Sequence, residues 1–161
     1  MEIRKLSHSE QTPLISGAID FDTQLQPAGF DVTVQRIVRV SGRGRMNTDF
    51  SSELPAEEEI SMRDGVYHLT SGPYLFYLNE IIALPLNIAG LVVPRSSLIR
   101  CGAILSSGLW DPGFHGRGRL GISVVNESGI LIEGNAPLAQ MIFFKNDEAA
   151  QGFRWNAYYE R

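Results

Sequence analysis

Residues 29–40, GFDVTVQRIVRV, alternate between apolar and polar side chains. Phe30, Val32, Val34, Val38 and Val40 fall on one side of the alternation, where only Arg36 breaks it, and Asp31, Thr33, Gln35 and Arg39 fall on the other. Side chains of an extended chain point to opposite faces in turn. The pattern therefore specifies a strand with one buried face and does not suit a helix, whose period is 3.6 residues. The other apolar runs are short: YLFYL (74–78), IIAL (81–84), LVV (91–93), GISVVN (121–126), GILIEG (129–134) and LAQMIFF (138–144). Gly, Pro, Asn or Ser bound them, and the chain holds 16 glycines and 8 prolines. Short strands at close spacing, separated by turn residues, predict an all-β barrel or sandwich.

Helix is scarce. SSLIRCG (96–102) can form one or two turns with a serine as N-cap and Gly102 as the stop, and a second short helix is expected near 7–16. SGRGR (41–45) reads as a turn, and the acidic stretch 46–59 as an exposed loop. No repeat or linker divides the 161 residues, so one domain over 1–161 is expected. Its tail, residues 145–161, carries four aromatics and could cross onto a neighbouring subunit.

A net charge of −4 argues against a general nucleic-acid binder. The single cysteine, Cys101, excludes an intrachain disulfide and suits a small apolar filler better than a nucleophile. No apolar run is long enough to cross a membrane as a helix, so no membrane partner is expected and the protein reads as cytoplasmic. His8, His68 and His115 are too scattered for a metal set, and no P-loop, dinucleotide fingerprint or nucleophile elbow is present.

Two segments could carry chemistry. PRSSL (94–98) places Arg95, Ser96 and Ser97 at a helix start, where a guanidinium, hydroxyls and backbone N–H groups can hold an anion such as phosphate. A capping serine beside a surface arginine would read the same way. LWDPGFHG (109–116) places Asp111 in good turn chemistry, but a carboxylate at the edge of an apolar strand can also orient a water.

QPAGFDVTV (26–34), PRSSL (94–98), WDPGFHG (110–116), ISVVN (122–126) and NAPLAQMIF (135–143) occur in this order, over roughly residues 20–145. The set resembles the dUTPase and dCTP deaminase superfamily, particularly its archaeal-type members. The resemblance implies a distorted jelly-roll-like β-barrel with one or two short helices, assembled as a homotrimer with active sites between subunits. It places Asp31 near a hydrated metal, Mg²⁺, which it would hold indirectly through water. Arg95 and Ser96, with Ser97 beside them, fall where the family contacts the phosphate chain, and Gln140 where a glutamine donates to phosphate. Asp111 matches the aspartate that orients the attacking water. Phe114 matches the aromatic under the deoxyribose, and the turn from Gly113 to Gly116 opens the hairpin whose backbone reads the pyrimidine.

The superfamily holds two chemistries. Its deaminases place a glutamate ten positions after the equivalent of Asp111 to shuttle protons on cytosine; that position here is Gly121, and RGRLGISVVN (117–126) has no carboxylate. The resemblance therefore implies a dUTP diphosphatase taking a deoxynucleoside triphosphate. A dCTP deaminase, a bifunctional deaminase–dUTPase, and a non-catalytic deoxynucleotide-binding regulatory relative remain alternatives. The last is motivated by two departures from the family pattern. Pro137 stands where the fourth motif has arginine, and the glycine-rich C-terminal arm is missing. Arg117 or Arg119 could restore the lost charge, and Phe153, Arg154 or Arg161 could form a lid.

Overall fold

The computed structural model describes residues 4–5 and 14–146. Strands follow one another with little helix between them. In chain order they are β1 (Arg4–Lys5), β2 (Ile15–Ser16), β3 (Phe30–Ser41), β4 (Arg45–Met46), β5 (Ser52–Glu53), β6 (Ala56–Glu59) and β7 (Val66–Leu69). They continue with β8 (Gly72–Ala83), β9 (Ile88–Pro94), β10 (Ala103–Ser106), β11 (Leu109–Trp110), β12 (His115–Val124), β13 (Ile130–Glu133) and β14 (Pro137–Lys145). The helices are α1 (Phe21–Gln24) and α2 (Ser96–Arg100). No helix among the described residues is long and apolar enough to cross a membrane.

β3 organises the architecture. Its first residues, 30–33, pair with β14, and residues 34–39 pair with β8, so one strand belongs to two layers. Pairing runs β10-β12-β8-β3-β14-β9-β11, with β1 on β14, β2 on β8 and β6 on β3, and every named pair is antiparallel. A strand that changes sheets through an irregularity makes the corner of such a fold. Here the register slips between Val34 and Arg36, at the place where the sequence alternation breaks. Beyond the slip Ile37 is fully buried although its odd number put it on the polar side, because a one-residue shift turns the following side chains over. The outcome is the expected all-β, jelly-roll-like architecture.

Inside lies one apolar core, with Phe30, Ile37, Phe76, Leu78, Ile82, Leu120, Ile122, Met141 and Phe143 wholly buried. YLFYL and IIAL are not separate strands: β8 runs through both with unbroken alternation, and Tyr74, Phe76, Leu78, Glu80 and Ile82 face inward. The acidic segment is exposed as expected but not all loop. β4 and β5 form a small hairpin, and β6 pairs with the outer half of β3. A short, exposed edge strand with three glutamates is a poor template for further strand pairing. The helix expected near 7–16 lies mostly outside the described residues, and Ile15–Ser16 within it is strand. β14 extends through Lys145, so the tail starts later than expected, and it too lies outside the described residues.

Candidate functional site

Asp31, Arg95 and Gln140 meet. Asp31 sits on the first half of β3, Arg95 follows the end of β9, and Gln140 lies on β14 opposite Asp31 in the ladder. Gln140 Nε2 donates to Asp31 Oδ1 at 3.1 Å, and Arg95 Nε stands 3.5 Å from Asp31 Oδ2. The Asp31 side chain is only 8% exposed, whereas that of Arg95 is 39% exposed and keeps part of its guanidinium toward solvent. Arg95 Nη1 also donates to the carbonyl of Pro137 at 3.3 Å, and its backbone N–H to Leu138 at 3.1 Å. A planar fork held on two acceptors is presented in a fixed direction.

Asp31, Arg95 and Pro137 border a cleft of about 370 Å³, whose lining does not include Gln140. Asp31 and Thr33 contribute from β3; Arg95, Asn135 and Pro137 contribute beside them; Ile19, Asp20 and Thr23 bring in the α1 segment. Sequence reasoning missed that segment, though DFDT carries a capping signal. Asp20 is the N-cap of α1 and accepts from the Thr23 N–H at 3.2 Å and the Thr23 hydroxyl at 2.8 Å. The hydroxyl first, and the N–H next, hold the Asp20 carboxyl below the ordinary carboxylate range.

Behind the cleft lies a second group that sequence reasoning missed. Glu80 is fully buried, and its donors are all neutral: Thr33 Oγ1 at 2.6 Å, Gln24 Nε2 at 2.7 Å and Thr33 N at 3.0 Å. Gln24 also donates to the Asp31 carbonyl at 2.8 Å, while its own oxygen accepts from the backbone N–H groups of Ile19 and Asp20. One buried carboxylate thus ties the α1 segment to the strand that carries Asp31.

Ser96 and Ser97 are exposed. The N-cap of α2 is Arg95 and no side chain caps it, which corrects the expected serine cap; Gly102 does stop the helix, with φ +80. The serine hydroxyls are therefore not spent on capping. Cys101 is exposed rather than a buried filler.

Asp111 and the residues after it stand elsewhere. Asp111 follows Trp110, which pairs with Gly90 on β9, and Arg95 lies five residues beyond Gly90. At about 3.3 Å per strand residue that separation is roughly 16 Å. With the Arg95 guanidinium held on Asp31 and Pro137, the two side chains of one chain cannot touch the same phosphoryl group. Gly113 takes a left-handed φ of +85, its N–H donates to Leu84 at 3.0 Å, and the Phe114 carbonyl accepts from Leu84 at 2.8 Å. Phe114 is buried, its ring centroid 4.6 Å from that of Trp110 and tilted by 60°. His115 and Gly116 open β12. Neither arginine of the GRGR run lines the cleft. Arg117 donates to the carbonyls of Leu78 and Asn79, and Arg119 to Glu57 and Tyr77. The glycine between them is required for packing, since a Cβ on Gly118 would fall 1.7 Å from the Trp110 ring.

Comparison with known proteins bears on the family and the fold. The family model described as dCTP deaminase-like matches residues 2–146. The probable deoxyuridine 5′-triphosphate nucleotidohydrolase of Archaeoglobus fulgidus is 42% identical over 153 residues, which are 94% of this chain and 89% of that protein. Among solved structures, the 2′-deoxycytidine 5′-triphosphate deaminase from Agrobacterium tumefaciens superposes with a TM-score of 0.68 at 20% identity. The match covers 89% of this chain and 49% of that one, so this chain spans about half its length. EIAV dUTPase gives a TM-score of 0.54 at 18% identity, covering 90% of this chain and 97% of that one. These structural likenesses bear on the fold, and the sequence matches bear on descent: the chain belongs to the dCTP deaminase-like family.

Proposed function

We propose that this protein is a dUTP diphosphatase. Water attacks the α-phosphorus of dUTP, the bond from that phosphorus to the bridging oxygen breaks, and diphosphate leaves with that oxygen while dUMP remains. The observation that carries this reading is the meeting of Asp31, Arg95 and Gln140, with Asp31 and Arg95 on the wall of the cleft. Ser96 and Ser97 follow Arg95 in the chain with their hydroxyls unspent, though neither lines the cleft. Arg95 and Ser96 would bind the phosphate chain and stabilise the charge that gathers on it. Asp31 would set Arg95 in place, and Gln140 would add a donor. Asp111 would take the proton of the attacking water. Gly113 to Gly116 would present backbone groups to the pyrimidine, with Phe114 beside the deoxyribose.

Because Asp111 stands far along β9 from Arg95, one chain does not complete this site. A neighbouring copy brings its Asp111 hairpin to the cleft, which suits a homotrimer. The Archaeoglobus relative, named for action on dUTP, supports the same substrate. Deamination has less support. Gly121 stands where the deaminase glutamate would be, and even a Cβ there would come 3.3 Å from that of Ser106.

Two carboxylates, Asp20 and Asp31, face one guanidinium in the cleft, an unfavourable balance for a triphosphate alone. Both oxygens of Asp31 are engaged, by Gln140 and Arg95, so direct ligation would disrupt the cluster. Among the described residues no group of three or more His, Cys, Asp or Glu forms a cage. Magnesium keeps several waters and needs only one or two carboxylates besides substrate phosphates, so the residues fit a hydrated ion carried on the triphosphate. Asp31 and Asp20 would hold it through its waters, and it would neutralise phosphate charge.

The test is to incubate the purified protein with dUTP and Mg²⁺ and separate dUMP and diphosphate. Asp111→Asn should lower kcat at least about a hundredfold. Undiminished turnover in that variant would remove the assigned base. Ammonia from dCTP would favour the deaminase, and tight dUTP binding without turnover the regulatory relative.

A further inference from the structure

Pro137 leaves the cleft without the second cation that the family pattern supplies, and Asn135 is placed beside the gap. It occupies a tight turn before β14 with φ +63; its N–H donates to Val34 at 3.1 Å, and Val34 donates back to Ala136 at 3.2 Å. Glycine and asparagine both tolerate that backbone. The turn alone therefore accounts for either residue and leaves the amide side chain unexplained.

The direction of that amide follows from its neighbours. Asn79 Nδ2 lies 3.1 Å from the Val34 carbonyl, 3.0 Å from Thr33 Oγ1 and 3.0 Å from Asn135 Oδ1. A backbone carbonyl can only accept, and the Thr33 hydroxyl hydrogen is committed to Glu80 at 2.6 Å. Asn79 must therefore present its NH₂ to all three. Asn135 in turn must present its oxygen to Asn79, which turns its own NH₂ the other way. Among the described residues nothing accepts from that NH₂, and Asn135 lines the cleft together with Arg95 and Pro137.

We propose that Asn135 is a substrate-binding residue whose side-chain amide donates to a phosphate oxygen of the bound triphosphate, a neutral donor in place of the cation absent at Pro137. This rests on the reading of the cleft as the triphosphate site. The site then holds the phosphate chain with one guanidinium and fixed neutral donors. The orientation of this donor is set by a Glu80–Thr33–Asn79 chain that is buried at Glu80 and Thr33 and reaches the surface at Asn79.

Asn135→Gly separates the two roles of the residue, since glycine keeps the left-handed turn and loses only the amide. The variant should melt close to wild type, with a KM for dUTP raised about tenfold and a much smaller change in kcat, as fits a lost hydrogen bond to a charged group. Inorganic triphosphate should inhibit it correspondingly less. Asn135→Asp keeps the backbone and the acceptor for Asn79 but turns an oxygen into the cleft, and should raise KM further. A wild type that hydrolyses dUTP alongside an Asn135→Gly variant with unchanged KM would overturn this role and leave the function standing. A wild type that neither hydrolyses nor binds dUTP would overturn both.

Discussion

Glu80 is an acceptor that the cleft depends on. Both its oxygens are used from the protein side, one by the Thr33 hydroxyl and Gln24, the other by the Thr33 N–H. Glutamine in its place could accept at only one of these positions and would set its NH₂ against a donor. A buried donor left unmet costs about 1–3 kcal/mol. Glu80→Gln should therefore lose about 2 kcal/mol in denaturant unfolding at fixed protein concentration, and Glu80→Ala more, since it abandons all three donors. Equal stability of Glu80→Gln and wild type would show that the second oxygen is not needed as an acceptor. The residue was visible in the sequence, as the one charge on the inward stripe 74, 76, 78, 80, 82 of YLFYLNEII. Its partners were not, because Thr33 and Gln24 come from 47 and 56 residues away. Asp31, Arg95 and Gln140 were legible through the order of their motifs. Asn135 was not, since its meaning depends on which way one amide faces.

At the scale of elements, alternation exposed the strands and hid where they bend. Arg36 interrupted the pattern in 30–40, and the interruption is a bulge that carries β3 from one layer to the other. Nothing local tells a bulge from an ordinary polar substitution, since the partner strands decide it. Tyr67 on β7 fastens this corner from outside the pair: its hydroxyl donates to the carbonyl of Gln35, inside the bulge, at 3.2 Å. Burial raises the Tyr67 pKa above its ordinary 10.0, the charge of Glu59 raises it further, and Arg36 partly opposes them. A raised folded-state pKa contributes stability that is complete below the unfolded value and is lost as pH rises through the folded one. Alkali should therefore loosen this corner. Tyr67→Phe should melt lower than wild type near neutral pH, having lost the hydrogen bond. As the pH rises past about 10 the gap should narrow, because the exposed phenol of the unfolded wild type ionises there while the buried one in the folded protein resists. Melting curves that stay parallel across that range would show that the Tyr67 hydroxyl does not carry the alkaline response.

At the scale of the whole molecule, the separation of Asp111 from Arg95 decides how activity can be built. The two lie at least about 16 Å apart along β9, so under the proposed function each chain would supply a phosphate cleft to one site and a hairpin to another. Two inactive variants should therefore repair each other. Arg95→Ala keeps a working hairpin, and Asp111→Asn keeps a working cleft. Co-expressed with different tags and purified through both, they yield trimers of two compositions, two copies of one variant with one of the other. In a ring where each site takes its cleft from one chain and its hairpin from the next, a working site needs an Asp111→Asn chain followed by an Arg95→Ala chain. Either composition contains one such junction. Hybrids should then show about one third of wild-type kcat per chain, while each variant alone stays inactive. Hybrids as inactive as their parents would mean that cleft and hairpin act within one chain, which would require Asp111 to swing toward Arg95 and break the β11–β9 pairing that holds it away.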